Sequence, residues 1–97
     1  MTYISIVFDD ILDDVDIIAI PDSLVDKIEE LTQEFLHWEG PKDDPDYWGF
    51  CNGHICQVTE TVGFVKWLNN YHCLDEEKAI IIAQHTNYSD AYKSVEF

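Results

Sequence analysis

Arginine is absent from this chain of 97 residues, and five lysines stand against twenty aspartates and glutamates. With so few cationic side chains there is no basic patch to hold phosphates, which argues against nucleic-acid binding. An anionic membrane surface is repelled for the same reason. Long apolar runs are also missing: no segment approaches the ~20 apolar residues a membrane helix requires. The four glycines are scattered and form no phosphate-cradling loop. The first residues, Met1-Thr2-Tyr3-Ile4, lack the basic region of a secretory signal, so a cytoplasmic location is expected. Cysteine is limited to Cys51, Cys56 and Cys73. An odd number in a reducing compartment implies free thiols and no structural disulfide.

What is present is a folded, strongly acidic chain. The formal net charge is -15, and residues 1–46 carry -12 of it (14 acids, 2 lysines). A charge of that size repels itself in the compact state and attracts a cationic protein surface. Yet 46% of the residues are hydrophobic, including three Trp, five Tyr and five Phe, which is too apolar for a disordered acidic tail. The length suits one domain with a single modest core, residues 1–97.

Hydrophobic periodicity places the elements. Tyr3–Phe8 is rich in β-branched and aromatic residues and predicts a strand. The acidic stretch Asp9–Asp14 follows as a turn or loop, and Val15–Ile20 predicts a second strand, stopped by Pro21. Leu24, Ile28, Leu31, Phe35 and Trp38 form one apolar stripe, predicting a helix from about Ser23 to Trp38. Asp22 or Ser23 is placed to cap it, with Asp26 at capping-box spacing, and Gly40-Pro41 ends it. Residues 39–47 form an acidic, Pro-containing loop. Asn52-Gly53 between two β-prone runs predicts a tight hairpin that pairs Cys51 with His54 and Phe50 with Ile55. Trp48, Phe50 and Ile55 then share one face, and Cys51, His54, Cys56 and Val58 the other. Thr59–Tyr71 predicts a second helix with Val62, Val65 and Leu68 inward; Gly63 weakens it by about 1 kcal/mol relative to Ala. Ala79–His85 fits a short helix or a strand, and its three isoleucines with the turn residues at 87–90 favour the strand. Tyr92–Phe97 closes the order as a last strand. The expected fold is α+β: a single small domain with a mostly antiparallel sheet and two helices. Trp38 and Trp67 are assigned to the core.

The chemistry-bearing residues form no complete catalytic signature. Cys51, His54 and Cys56 on one hairpin face are zinc-type ligands, but C-x2-H-x-C is no standard zinc spacing and a second pair is missing. Buried cysteine is a common small core residue, which is the favoured reading. A cysteine nucleophile needs a base and an orienting group, and a strongly negative field disfavours the thiolate. The run Asp9, Asp10, Asp13, Asp14, Asp16 lacks the alternating acids, central Gly and terminal Glu of a calcium loop. No catalytic residue, metal or cofactor is assigned.

Charge density is itself the signal. A solvated, solubilising surface is the plain explanation. Against it, few acids can be neutralised locally, and the acids lie in loops beside aromatics. Rings supply anchoring area and carboxylates supply steering, as at interface hot spots. Asp9, Asp10, Asp13, Asp14, Asp43, Asp44, Asp46, Tyr47 and Trp48 are therefore the expected partner-binding residues.

In size, acidity and α+β layout, and in segments such as DDILDDVD, EGPKDDPDYW and the terminal YKSVEF, the chain resembles bacterial toxin-immunity proteins of contact-dependent growth inhibition and related polymorphic toxin systems. The resemblance implies a cytoplasmic antitoxin without catalytic residues. It would bind one basic toxin domain one-to-one, a nuclease being the expected target, and block its active site or substrate entry. The alternative is a nucleic-acid mimic that inhibits a host nuclease of the CRISPR or restriction type. A mimic should line acids at near-regular spacing of ~7 Å along an extended face. The loop placement of the acids favours a compact single-partner interface. A small enzyme or metal-binding module ranks third.

Overall fold

The computed structural model describes residues 1–9 and 11–97, and the chain folds as an α+β domain. Strand β1 (Thr2–Phe8) is followed by β2 (Ile11–Ile20), a 3₁₀ segment (Asp22–Lys27) and helix α1 (Ile28–Leu36). A hairpin of β3 (Trp48–Cys51) and β4 (His54–Gln57) precedes helix α2 (Thr61–Tyr71), then β5 (Ile80–Thr86) and β6 (Lys93–Glu96). The main sheet has the order β5-β2-β1-β6, antiparallel except for the parallel β1–β6 pair, and the β3–β4 hairpin is a separate sheet.

Period-two alternation decides the inner face. Ile4 and Ile6 on β1 pair with Ile18 and Asp16 on β2, and Ile6 pairs with Val95 on β6. Ile4, Ile6, Ile18, Ile20 and Val95 are all buried against the helices. From α1 come Ile28, Leu31 and Phe35; from α2 come Phe64, Trp67 and Leu68. Phe35 lies 5.4 Å from Phe64 and 5.6 Å from Trp67, and the terminal Phe97 packs edge-on to Phe64 at 5.1 Å. Such pairs contribute about 0.5–1.5 kcal/mol each beyond their burial. Trp67 is buried, and Trp38 packs partly buried against the same cluster, as expected.

The opposite face is partly covered by the chain's own return, and Tyr3, Ile80 and Ile82 stay exposed on it. Segment 87–92 runs from the β5 edge to the β6 edge, with Tyr88 N–H donating to Leu12 O and Tyr92 edge-on to Tyr3 at 5.6 Å. Ser5, Val7, Val15 and Ala19 are buried on that side.

Several expectations need correction. The expected loop Asp9–Asp14 is mostly strand, since β2 begins at Ile11, opposite Phe8. Asp9 adopts φ 52°, the left-handed turn that closes this hairpin, and Asp10 lies outside the described residues. The first helix does not begin with a side-chain cap. Asp22 is instead engaged by the Thr2 hydroxyl at 2.7 Å and the Met1 amino group at 3.2 Å, and the chain enters α1 through the 3₁₀ segment. α2 begins at Thr61 rather than Thr59. The ambiguous segment near 80 is a strand.

Cys51 and Cys56, expected as free thiols, are joined in a disulfide, and Cys73 is free and half-buried. The hairpin register is responsible. Cys51 opposes His54, so Cys56 stands diagonally across on the same face, with a Cα separation of 5.9 Å, inside the range a disulfide spans. The Asn52-Gly53 turn itself is as expected, with φ 51° and 81°.

Gly63 gives the fold a specific test. A Cβ there would meet the Asp46 carbonyl oxygen at 2.5 Å. Helix propensity favours Ala by about 1 kcal/mol, while overpacking against backbone costs about 1–3 kcal/mol. Gly63→Ala is expected to lower stability by up to about 2 kcal/mol in urea denaturation. A more stable variant would show that this close approach does not exist.

Candidate functional site

Two acidic segments far apart in sequence are tied to the same stretch of α2. The first is anchored by Asp16. It occupies an inward position on β2, in line with Ile18 and Ile20, and is only 6% exposed. A buried carboxylate must have its lone pairs satisfied. The Thr61 hydroxyl donates to Oδ2, and the His85 backbone N–H donates to Oδ1 at 3.1 Å. Asp16 therefore joins β2, α2 and β5. β5 carries an extra residue relative to β2 between Ala83 and Thr86, and His85 sits within it at φ 57°. That bulge presents the His85 backbone N–H to Asp16 and its ring to Asp14, whose Oδ1 lies 2.7 Å from Nδ1. Bulges of this kind commonly re-aim a side chain.

These residues line an open cleft of about 380 Å³ together with Phe8 and Val62; Asp16 and Thr61 are its buried members, and Asp14, Glu60 and His85 its exposed acidic and imidazole groups. Beside it Ile11 and Leu12 are exposed, 48% and 54%, among the exposed Asp9, Asp13 and Asp14. Along β2 these positions alternate, so Leu12 and Asp14 share the face of the cleft and Ile11 and Asp13 the opposite one, each face carrying an exposed apolar residue beside a carboxylate.

The second segment is residues 43–48. Lys66 on α2 bridges Asp44 at 2.7 Å and Asp46 at 2.9 Å. The Lys66 bond, with a second from the Asp46 N–H, holds the Asp44 carboxyl below its ordinary pKa, and the two carboxylates raise that of Lys66. Asp44 and Asp46 therefore share one lysine, which answers one of their two charges, whereas Asp43 is exposed. Tyr47 is 4% exposed and packs edge-on against Trp38 at 4.8 Å; burial pushes its hydroxyl pKa up. Trp48 is half-buried, its indole N–H donates to Gly40 O at 3.0 Å, and Lys42 Nζ lies 5.3 Å from its ring.

Of the expected interface residues, Asp9, Asp13, Asp14 and Asp43 are at the surface, Asp44 and Asp46 are in the Lys66 bridge, Tyr47 is in the core, and Trp48 lies between. Asp10 lies outside the described residues. Glu60, Thr61 and His85 were not singled out from sequence, and Asp16 entered only in the acidic run that does not fit a calcium loop. Asp16 carried a signal: an acid in phase with buried isoleucines is buried, and needs partners.

The Cys51–Cys56 bond leaves those sulfurs unable to act as thiolate ligands or nucleophiles. Among the described residues no three His, Cys, Asp or Glu side chains converge as a metal-ligand set. Among them, too, no helix is long and apolar enough to cross a membrane. No family model matches the chain, and no curated protein or solved structure matches it.

The Asp14–His85 contact makes a pH-dependent prediction. Its hydrogen bond, followed by the Asp14 charge, raises the His85 pKa above the ordinary 6.5. The stabilisation is complete below the unfolded pKa and is lost as pH rises through the higher folded one. In an NMR titration His85 is expected to titrate above 6.5 in the native protein and to return towards it in Asp14→Asn. An unchanged midpoint would remove the pair from the account.

Proposed function

We propose that this protein is a binding inhibitor of one basic protein domain, of the kind that toxin-immunity proteins neutralise. The observation that carries this reading is the turn end of β1 and β2, where exposed Ile11 and Leu12 stand among Asp9, Asp13 and Asp14 beside the cleft that Glu60 lines. Apolar anchors beside carboxylates fit a partner whose apolar contact is flanked by cations. A nuclease holds phosphates with lysine, arginine and histidine, and a carboxylate-rich surface is complementary to that set. Docking there blocks substrate entry without chemistry, so no catalytic residue or cofactor is assigned. The complex is one-to-one. Steering by a -15 molecule speeds encounter, an advantage against a toxin.

A second reading, the nucleic-acid mimic, draws on the 3₁₀ segment and α1. Asp26 in the first and Glu30 and Glu34 in the second are exposed at four-residue intervals, about 6 Å of rise per step where the chain is α-helical. The row is short, and Glu34 already lies 3.8 Å from His72. The hairpin end, with its apolar anchors, is the stronger interface.

Pulldown with the tagged protein at low and high salt, followed by mass spectrometry, separates the two. The expected result is one basic domain at one-to-one stoichiometry, its association slowed roughly tenfold or more by the triple variant Asp9→Asn, Asp13→Asn, Asp14→Asn and by added salt. A large host nuclease, lost on changing Glu30 and Glu34 to Gln, establishes the mimic instead. No partner at either salt contradicts both.

A further inference from the structure

The β3–β4 hairpin carries a surface that the acidic segments do not explain. Phe50 and Ile55 are directly paired across the strands and are 80% and 55% exposed. An exposed aromatic of that degree costs solubility and contributes nothing to the core. The hairpin holding it is firmly set. A two-residue turn with positive φ at Asn52 and Gly53 closes it, and the Cys51–Cys56 bond crosses its other face. Two-stranded hairpins are marginal alone, but the turn and the disulfide offset that here and present Phe50 and Ile55 in a fixed place at little ordering cost.

Beside the pair lies a groove of about 320 Å³ lined by Lys42, Asp43, Pro45, Trp48, Phe50 and Ile55. The chain itself indicates which chemistry the groove accepts, because the Lys42 ammonium already lies over the Trp48 ring at 5.3 Å. An aromatic face attracts a cation, and Asp43 stands exposed on the rim to complete the charge match. The surrounding net charge of -15 rejects acidic and nucleic-acid occupants.

We propose that this groove is a specificity pocket for a basic side chain of the partner protein. An arginine or lysine head lies over Trp48 in place of Lys42 and beside Asp43, and neighbouring apolar residues of the partner cover Phe50 and Ile55. This rests on the reading that the partner is a basic protein, and adds which of its residues are read. Arginine fits best, since its planar head stacks on rings and binds carboxylate in a bidentate manner.

The probe is a random twelve-residue peptide library displayed on phage and selected on the intact, oxidised protein at low salt. Enriched peptides are then synthesised and titrated. Peptides joining Arg or Lys to an aromatic or aliphatic neighbour are expected. Phe50→Ala, at an exposed site that leaves the fold intact, should weaken their binding about tenfold. Lys42→Met should tighten it about threefold more than Lys27→Met, which removes the same charge elsewhere. The Trp48 indole N–H resonance should move on binding. Basic peptides that bind Phe50→Ala as tightly as the native protein, and respond instead to Asp13→Asn and Asp14→Asn, overturn the pocket and leave the acidic-surface reading standing. Selection that enriches no basic peptide overturns both.

Discussion

Self-repulsion among twenty carboxylates, with five lysines to answer them, is the constraint on which the other features depend. The favourable terms must come from apolar burial, and the core accordingly uses large side chains for so small a domain. Phe35, Phe64 and Trp67 meet between the helices and the isoleucines of β1 and β2, and Phe97 fills the end of the cluster. Ion pairing is used sparingly. Lys66 answers two acids at once, and Lys78 stands 3.7 Å from Asp75. Exposed pairs of this type are worth little individually. The Lys66 bridge matters more for position, because it fixes the 43–48 loop against α2.

α2 is the organising element. Its first residue, Thr61, binds the buried Asp16, two residues later Gly63 admits the Asp46 carbonyl, and Lys66 bridges Asp44 and Asp46. Five residues separate Thr61 from Lys66, about 7.5 Å of rise. The β1–β2 turn and the 43–48 loop are thereby held to one helix, although about thirty residues lie between them. The hairpin follows directly from that loop and shares its placement through the Val58 N–H bond to Tyr47 O.

How much of this was legible in the sequence depended on the range of the interaction that decides each feature. Asn52-Gly53 prescribed the hairpin and its register because turn chemistry is local. The apolar stripe from Leu24 to Phe35 marked the buried face of α1. The onset of that helix was not legible, since Asp22 is drawn away by Thr2 and Met1, twenty residues back. Tyr47 reads locally as part of an acidic loop, yet the fold buries it beside Trp38. Asp44 and Asp46 look free until Lys66, from the next helix, reaches them. A reducing compartment argues for free thiols, whereas the hairpin register puts Cys51 and Cys56 on one face within disulfide reach.

Most of the acidic surface is unneutralised in the free protein, with twenty carboxylates against five lysines. Thermal unfolding of the isolated protein at neutral pH, from low salt to about 0.5 M sodium chloride, tests it without needing the partner. Screening of self-repulsion should raise the midpoint steadily with salt. A midpoint that falls or stays flat would mean that internal ion pairs already balance the carboxylates, and would contradict the account.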